Sequence, residues 1–176
     1  EMSVGNAVSQ RLIRHKDLAV RELFKAAMEK HHGGNFLAAN EMYQQVLKMD
    51  ASNVGAIHML GLLASQVGQI DCALVFYNEA LKIEKKQADI YADRGGAYLA
   101  LGKPNEAATD FESAIDLDKS NGDHFYNLAL AFQGLGRVED AQLSYLKTIA
   151  LSPNHALALN NLGGIYHAQN KLQKAV

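Results

Sequence analysis

The stretch A-D-I-Y-A-D-R-G-G-A-Y-L-A-L-G-K-P-N-E-A-A-T-D-F-E-S-A-I-D-L-D-K-S-N, from Ala88 to Asn121, is one copy of a pattern that recurs along the chain. Its turn glycine, Gly102, has counterparts 34 residues away in both directions, at Gly68 and Gly34 behind it and at Gly136 ahead. Ala107 maps in the same frame to Ala73 and Ala39, and forward to Ala141 and Ala175. Phe111 maps to Tyr77 and Tyr43, and forward to Tyr145. A fixed period of this length is the signature of a helical solenoid, in which each copy is stable only against its neighbours.

The frames fall at Val20–Asn53, Val54–Gln87, Ala88–Asn121 and Gly122–His155, with a partial copy at Ala156–Val176. Each frame holds two helical patterns. In the first, apolar or small residues recur at i, i+3, i+4 and i+7, as in Ile57/Leu60/Gly61/Ala64 and Phe125/Leu128/Ala129/Phe132. That spacing places them on one face of a 3.6-residue helix. The glycine follows, where a helix end favours the left-handed region. The second pattern runs Phe36/Ala39/Tyr43/Val46, Ile70/Ala73/Tyr77/Ala80, Pro104/Ala107/Phe111/Ala114 and Val138/Ala141/Tyr145/Thr148. Pro104 suits a helix start, where its missing N–H costs nothing. Ala27, Gly61, Gly95, Ala129 and Gly163 supply one small residue per first helix, so that the paired backbone approaches closely and the aromatics fill the space between. Residues 1–19 lie outside the frame. With Val4, Val8 and Leu12 near one helix face, they read as an N-terminal capping helix or an extension of the first repeat helix, ahead of an array over 20–176.

Composition sets the wider limits. The 176 residues are 48% hydrophobic and 20% charged, with a formal net charge of −2. That is ordinary globular material. It lacks the basic excess a phosphate-binding surface needs, so nucleic acid is not an expected partner. The single cysteine, Cys72, reads as a small apolar residue near a helix start and makes an internal disulfide impossible. No apolar run approaches the ~20 residues that span a bilayer. The expected location is cytoplasmic.

The period and the residue set at its core positions resemble the tetratricopeptide repeat (TPR) family, over nearly all of the chain from Val20 onward. The departures are Lys30 at a usually large apolar place, Arg94 at a usually aliphatic one, and the scarcity of boundary prolines, with only Pro153 present. The resemblance implies an all-α fold, a right-handed superhelical solenoid of antiparallel helix pairs. Its concave groove is lined by the first helices and takes an extended peptide or a helix.

Motifs that carry chemistry are absent. There is no G-x-x-x-x-G-K-[ST], H-E-x-x-H, C-x-x-C or G-x-S-x-G. Adjacent His31 and His32 point in different directions from a helix and read as solvated helix-end histidines, not metal ligands. Asp89 and Asp93 share a helix face but read as a solvated wall, since a catalytic pair needs burial and a cleft. No cofactor, metal or catalytic residue is expected.

The groove residues lie one or two places off the core face of each first helix. They are Arg21, Phe24, Lys25, Met28 and His31, then His58, Met59, Leu62 and Gln66. Next come Asp89, Asp93 and Gly96, followed by Asp123, Tyr126, Asn127 and Leu130, and finally Asn160, Asn161 and Gly164. This makes an apolar, methionine-containing end, an acidic middle, and a run of amides able to pair with a peptide backbone. TPR domains that clamp a chaperone's terminal carboxylate carry cations and Asn where this chain has Phe24, Met28, Asp89 and Asp93, so that mode is not expected. Asn127 and Asn161 match the once-per-repeat asparagine of O-GlcNAc transferase-like enzymes, whereas Lys25 and Met59 do not. The first copy and a half also resembles bacterial proteins that join TPRs to a transferase domain.

The expected function is therefore a non-catalytic protein-interaction module or scaffold, whose partner is a basic or amide-rich protein or peptide segment. The alternative is the partner-selecting N-terminal region of a larger glycosyltransferase-like enzyme. At the far end, Leu159, Leu162, Ile165 and Tyr166 read as a packing face, and Leu172, Ala175 and Val176 as the opening of a further second helix. The uncovered face there implies continuation past Val176 or self-association.

Overall fold

The computed structural model describes the backbone of residues 2–174 and the side chains of residues 13–170. Val4, Val8, Leu12, Leu172, Ala175 and Val176 carry sequence expectations that lie outside the described side chains. Among the described residues there are nine α-helices and no strand. Two compact units divide the chain, Glu1–Glu84 and Lys85–Val176.

The first unit contains α1 (Met2–His32), α2 (Phe36–Met49), α3 (Val54–Gln66) and α4 (Ile70–Ile83). Helix α1 runs through residues 19 and 20 without a break. Val20, Val46 and Ala56 are buried together, and Ala27, Ala39, Tyr43 and Leu60 form a second buried cluster. The second unit contains α5 (Ala88–Ala100), α6 (Pro104–Leu117), α7 (Gly122–Gly134), α8 (Val138–Leu151) and α9 (Ala156–Lys174). Its core joins Ala107, Phe111, Leu128, Ala129, Tyr145, Leu162 and Ile165.

Each helix hairpin turns on one glycine. Gly34, Gly68, Gly102 and Gly136 have φ of 76°, 79°, 68° and 71°, values an L side chain rarely adopts. At the first of them Gly34 N–H donates to His31 O at 2.9 Å and Asn35 N–H donates back to Lys30 O at 2.9 Å. That two-bond closure satisfies the helix's last carbonyls and reverses the chain in three residues. Asn35, Asn53 and Asn121 then cap the helices that follow, accepting from Ala38, Ala56 and Asp123 N–H. Asn170 stands in the glycine frame of the fifth copy, and there α9 continues to Lys174 rather than turning. The expected second helix from Leu172 is not separate from α9 within the described backbone, because the residue that would release the helix into the left-handed region is missing.

Small residues mark the closest helix contacts. A Cβ built on Gly61 would lie 2.6 Å from Tyr77 Cε1, and one on Gly95 would lie 2.7 Å from Phe111 Cε1. A Cβ on Gly163, in the same frame, would meet nothing within 4 Å among the described residues. The expected packing face of α9 accordingly splits. Leu162 and Ile165 are buried, but Leu159 and Tyr166 are 47% and 46% exposed.

Polar side chains buried in the second unit include Asp110 and His124. Arg94 Nε and Nη2 donate to Asp110 Oδ2 at 2.7 Å and Oδ1 at 2.6 Å, with the Asp110 side chain 4% exposed. Thus the cation at a usually aliphatic place is met by a carboxylate on the next helix. His124 is buried, and its Nε2 has no hydrogen-bond partner among the described residues. An unpaired buried polar atom costs ~1–3 kcal/mol. His124→Leu is therefore expected to raise stability by about 1 kcal/mol, the loss of packing shape offsetting part of that gain. Urea denaturation checks it, and a clear fall in the midpoint would mean that Nε2 is satisfied.

Candidate functional site

The first helices of each unit present the residues that the frame assigns to a groove. In the first unit Arg21 and Lys25 are exposed on α1, while Phe24 and Met28 are half-buried. Phe24, Met28 and Met59 lean on the cluster around Tyr43, so their inner edges already belong to the core. His58 on α3 is half-buried with its ring edge-on to Tyr77 at 6.0 Å. Met59 and Leu62 line a cavity of about 410 Å³ with His31, His32, Phe36 and Gln66. Arg21, Phe24, Lys25, Met28 and His58 lie outside it.

His31 corrects the expectation of a solvated helix end. It is 5% exposed and fully engaged. Its Nε2–H donates to Gln66 Oε1 at 2.8 Å, and the Tyr43 hydroxyl donates to its Nδ1 at 3.2 Å. Phe36 packs edge-on against the ring at 5.6 Å. Burial pushes the Tyr43 hydroxyl up to about 12, so it remains a proton donor throughout the neutral range. His32, the adjacent residue, is exposed.

In the second unit Asp89 on α5 and Asp123 on α7 are exposed, and Asp93 is half-buried. Asp123 accepts from His155 Nε2–H at 3.2 Å, because the other ring nitrogen is committed to the Ala158 N–H. The same imidazole lies 4.7 Å from the Tyr126 ring, and Tyr126 lies 5.8 Å from Tyr145. Asp123, Tyr126 and His155 therefore make one cluster at the start of α7 and α9, in which His155 has no counterpart among the residues chosen from sequence. Asn127 is half-buried beside it.

Asn160 and Asn161 line a second cavity, of about 480 Å³, together with Gln133, Val138, Gly164 and Ala168. Tyr145 supports its rim. The Tyr145 hydroxyl donates to Gln133 Oε1, and Asn161 Nδ2 donates to the Tyr145 oxygen at 3.0 Å. Burial, the largest influence, pushes the Tyr145 hydroxyl up. Gln133 and Val138 were not chosen from sequence, although they stand three frames after His31 and Phe36. That spacing was the available signal.

Among the described residues no group of three His, Cys, Asp or Glu side chains could hold a metal ion, and no helix is long and apolar enough to cross a membrane. Cys72 is exposed.

Comparison with known proteins bears on this architecture. Three repeat-family models match: a tetratricopeptide repeat over residues 54–87, a TPR repeat over 95–136 and a further tetratricopeptide repeat over 126–176. No curated protein matches the sequence. Among solved structures, the crystal structure of MamA is similar at a TM-score of 0.76 and 26% identity, covering 82% of this chain and 84% of that one. The first TPR of Spaghetti (RPAP3), bound to the HSP90 peptide SRMEEVD, is similar at 0.66 and 24% identity, covering 69% and 96%. YrrB, described as a TPR protein with an unusual peptide-binding site, is similar at 0.74 and 18% identity, covering 92% and 87%. With helix hairpins repeating every 34 residues, the turn glycines in frame and the three family matches together spanning more than half of its length, the chain belongs to the tetratricopeptide-repeat family.

Proposed function

We propose that the chain is a non-catalytic protein-interaction module that binds a basic or amide-rich peptide segment along the first-helix face of its second unit. The observation carrying this reading is the sequence of groups on that face. Exposed Asp89 and Asp123 attract cationic side chains, and half-buried Asn127 and Asn161 with exposed Asn160 offer amides to a peptide backbone. The Arg94 guanidinium on the same helix is paired with Asp110. Similarity to proteins described with peptides supports the class of partner. The acidic peptide of the Spaghetti complex does not fit this face, whose carboxylates would repel it.

The test is a decapeptide library with one position fixed in turn as basic, neutral or acidic, selected on the full chain. Basic and amide-bearing peptides are expected to be enriched. The double variant Asp89→Lys/Asp123→Lys is expected to slow association with a selected basic peptide roughly tenfold or more at low salt and to reverse the sign of the salt dependence. Both side chains are exposed, and the unfolding midpoint of the variant is measured alongside because Asp123 also accepts from His155 Nε2–H. Enrichment of acidic peptides, or an unchanged association rate in the variant, would remove the reading.

A further inference from the structure

The cavity of the second unit sits where the turn between α7 and α8 meets α9. The cavity of the first unit occupies the same register. His31 and Gln133 stand three frames apart, as do Phe36 and Val138, Met59 and Asn161, and Leu62 and Gly164. Gln66 and Ala168 make a fifth such pair. The repeat builds the hollow, and these positions set its lining. The second unit has a glycine where the first has leucine. Among the described residues a Cβ added at Gly164 would meet nothing within 4 Å, so the missing side chain is itself part of the empty space.

Hydrogen-bond accounting at Tyr145 sets the polarity of the rim. A hydroxyl has one hydrogen, and Tyr145 gives it to Gln133 Oε1. The Asn161 Nδ2 then donates to the same oxygen at 3.0 Å. Gln133 keeps both of its N–H donors, and Asn161 keeps its carbonyl oxygen and its second N–H. Side by side they offer both donor and acceptor, which can meet a single peptide residue's C=O and N–H. Among the described residues no charged side chain lines the cavity.

We infer that this cavity is a specificity subsite that takes one uncharged apolar side chain of an extended peptide, whose flanking backbone pairs with Gln133 and Asn161. Gly164 is the residue that opens it. The inference rests on the peptide-binding reading above and deepens it: the acidic part of the face attracts the segment, and this hollow selects one residue within it. A charged side chain placed here loses hydration and finds no counter-charge.

The experiment titrates the full isotopically labelled chain with blocked single residues, followed by NMR. N-acetyl-leucinamide and N-acetyl-phenylalaninamide are expected to shift the Gly164 backbone amide and the Gln133 and Asn161 side-chain amides. N-acetyl-lysinamide and the N-acetyl amide of aspartate are expected to bind at least roughly tenfold more weakly. Gly164→Leu is expected to abolish the shifts while leaving the unfolding midpoint unchanged or raised, since no neighbour is displaced. Gly164→Ala is expected to weaken them less.

Equal binding of the charged probes, or unchanged affinity in Gly164→Leu, would overturn the subsite. Shifts centred on Tyr126 and Leu130 would overturn it too and leave the peptide reading standing. Retained binding of the blocked residues with no selection from the decapeptide library would instead overturn the peptide reading and leave the cavity's preference in place.

Discussion

Replacing Arg94 by Leu is expected to cost ~3–5 kcal/mol of stability in the second unit, because it leaves a buried carboxylate without its cation. The guanidinium holds both Asp110 oxygens, and the hydrogen bonds to Asp110 push the Arg94 pKa further above its ordinary value. The pair itself need not be stabilising. Two charges taken out of water regain in attraction about what they lose in hydration, so apolar residues of fitting shape often do as well. The chain contains such a pair. One frame earlier the two positions hold Leu60 and Phe76, which pack in the cluster around Tyr43. Arg94→Leu combined with Asp110→Phe copies that pair and is expected to recover most of the loss. Native-state hydrogen exchange of the α5 and α6 amides measures both variants. A loss below about 1 kcal/mol in the single variant would mean that water reaches Asp110 and that the partnership is a surface one.

The second large effect is expected at Gly95. A leucine there drives its first carbon to within 2.7 Å of Phe111 Cε1 and 2.9 Å of Cζ, on a ring only 1% exposed. The ring has no room to yield, and overpacking of this kind costs ~1–3 kcal/mol. Because α6 carries both Phe111 and the contact with α7, reduced protection from exchange is expected to spread from α5 and α6 into α7. Gly163 supplies the control. It holds the same frame position with no atom of the described residues within 4 Å of an added Cβ, so Gly163→Ala is expected to stabilise by ~0.5–1 kcal/mol through helix propensity alone. Destabilisation by both substitutions to the same degree would mean that something other than the Phe111 contact sets the cost at Gly95, since backbone entropy favours replacing a helical glycine.

These two sites behave differently although a repeat frame treats them alike, and that marks where sequence reading stops. The helix hairpins, their boundaries near each turn and the buried faces of alanine and aromatic residues were legible from the chain alone. Each depends on residues within one frame: a left-handed backbone angle that glycine meets at Gly34, Gly68, Gly102 and Gly136, and an apolar stripe set by helical geometry. The missing turn at Asn170 follows from the same local rule.

Part of the candidate site was legible too. The frame picked out Met59, Leu62, Gln66, Asn160, Asn161 and Gly164, all of which border the two cavities. The frame could not assign partners, because a partner arrives from another helix at a distance and angle that only packing sets. His31 reads as a solvated helix end until Gln66, Tyr43 and Phe36 close over it. Arg94 reads as a departure from pattern until Asp110 meets it across the hairpin. Asn161 reads as a free amide until the Tyr145 oxygen takes one of its two N–H groups and fixes how the amide lies. Periodicity along one chain determines which face of a helix is apolar. Which polar atoms on that face remain available is decided only when neighbouring helices have used the others.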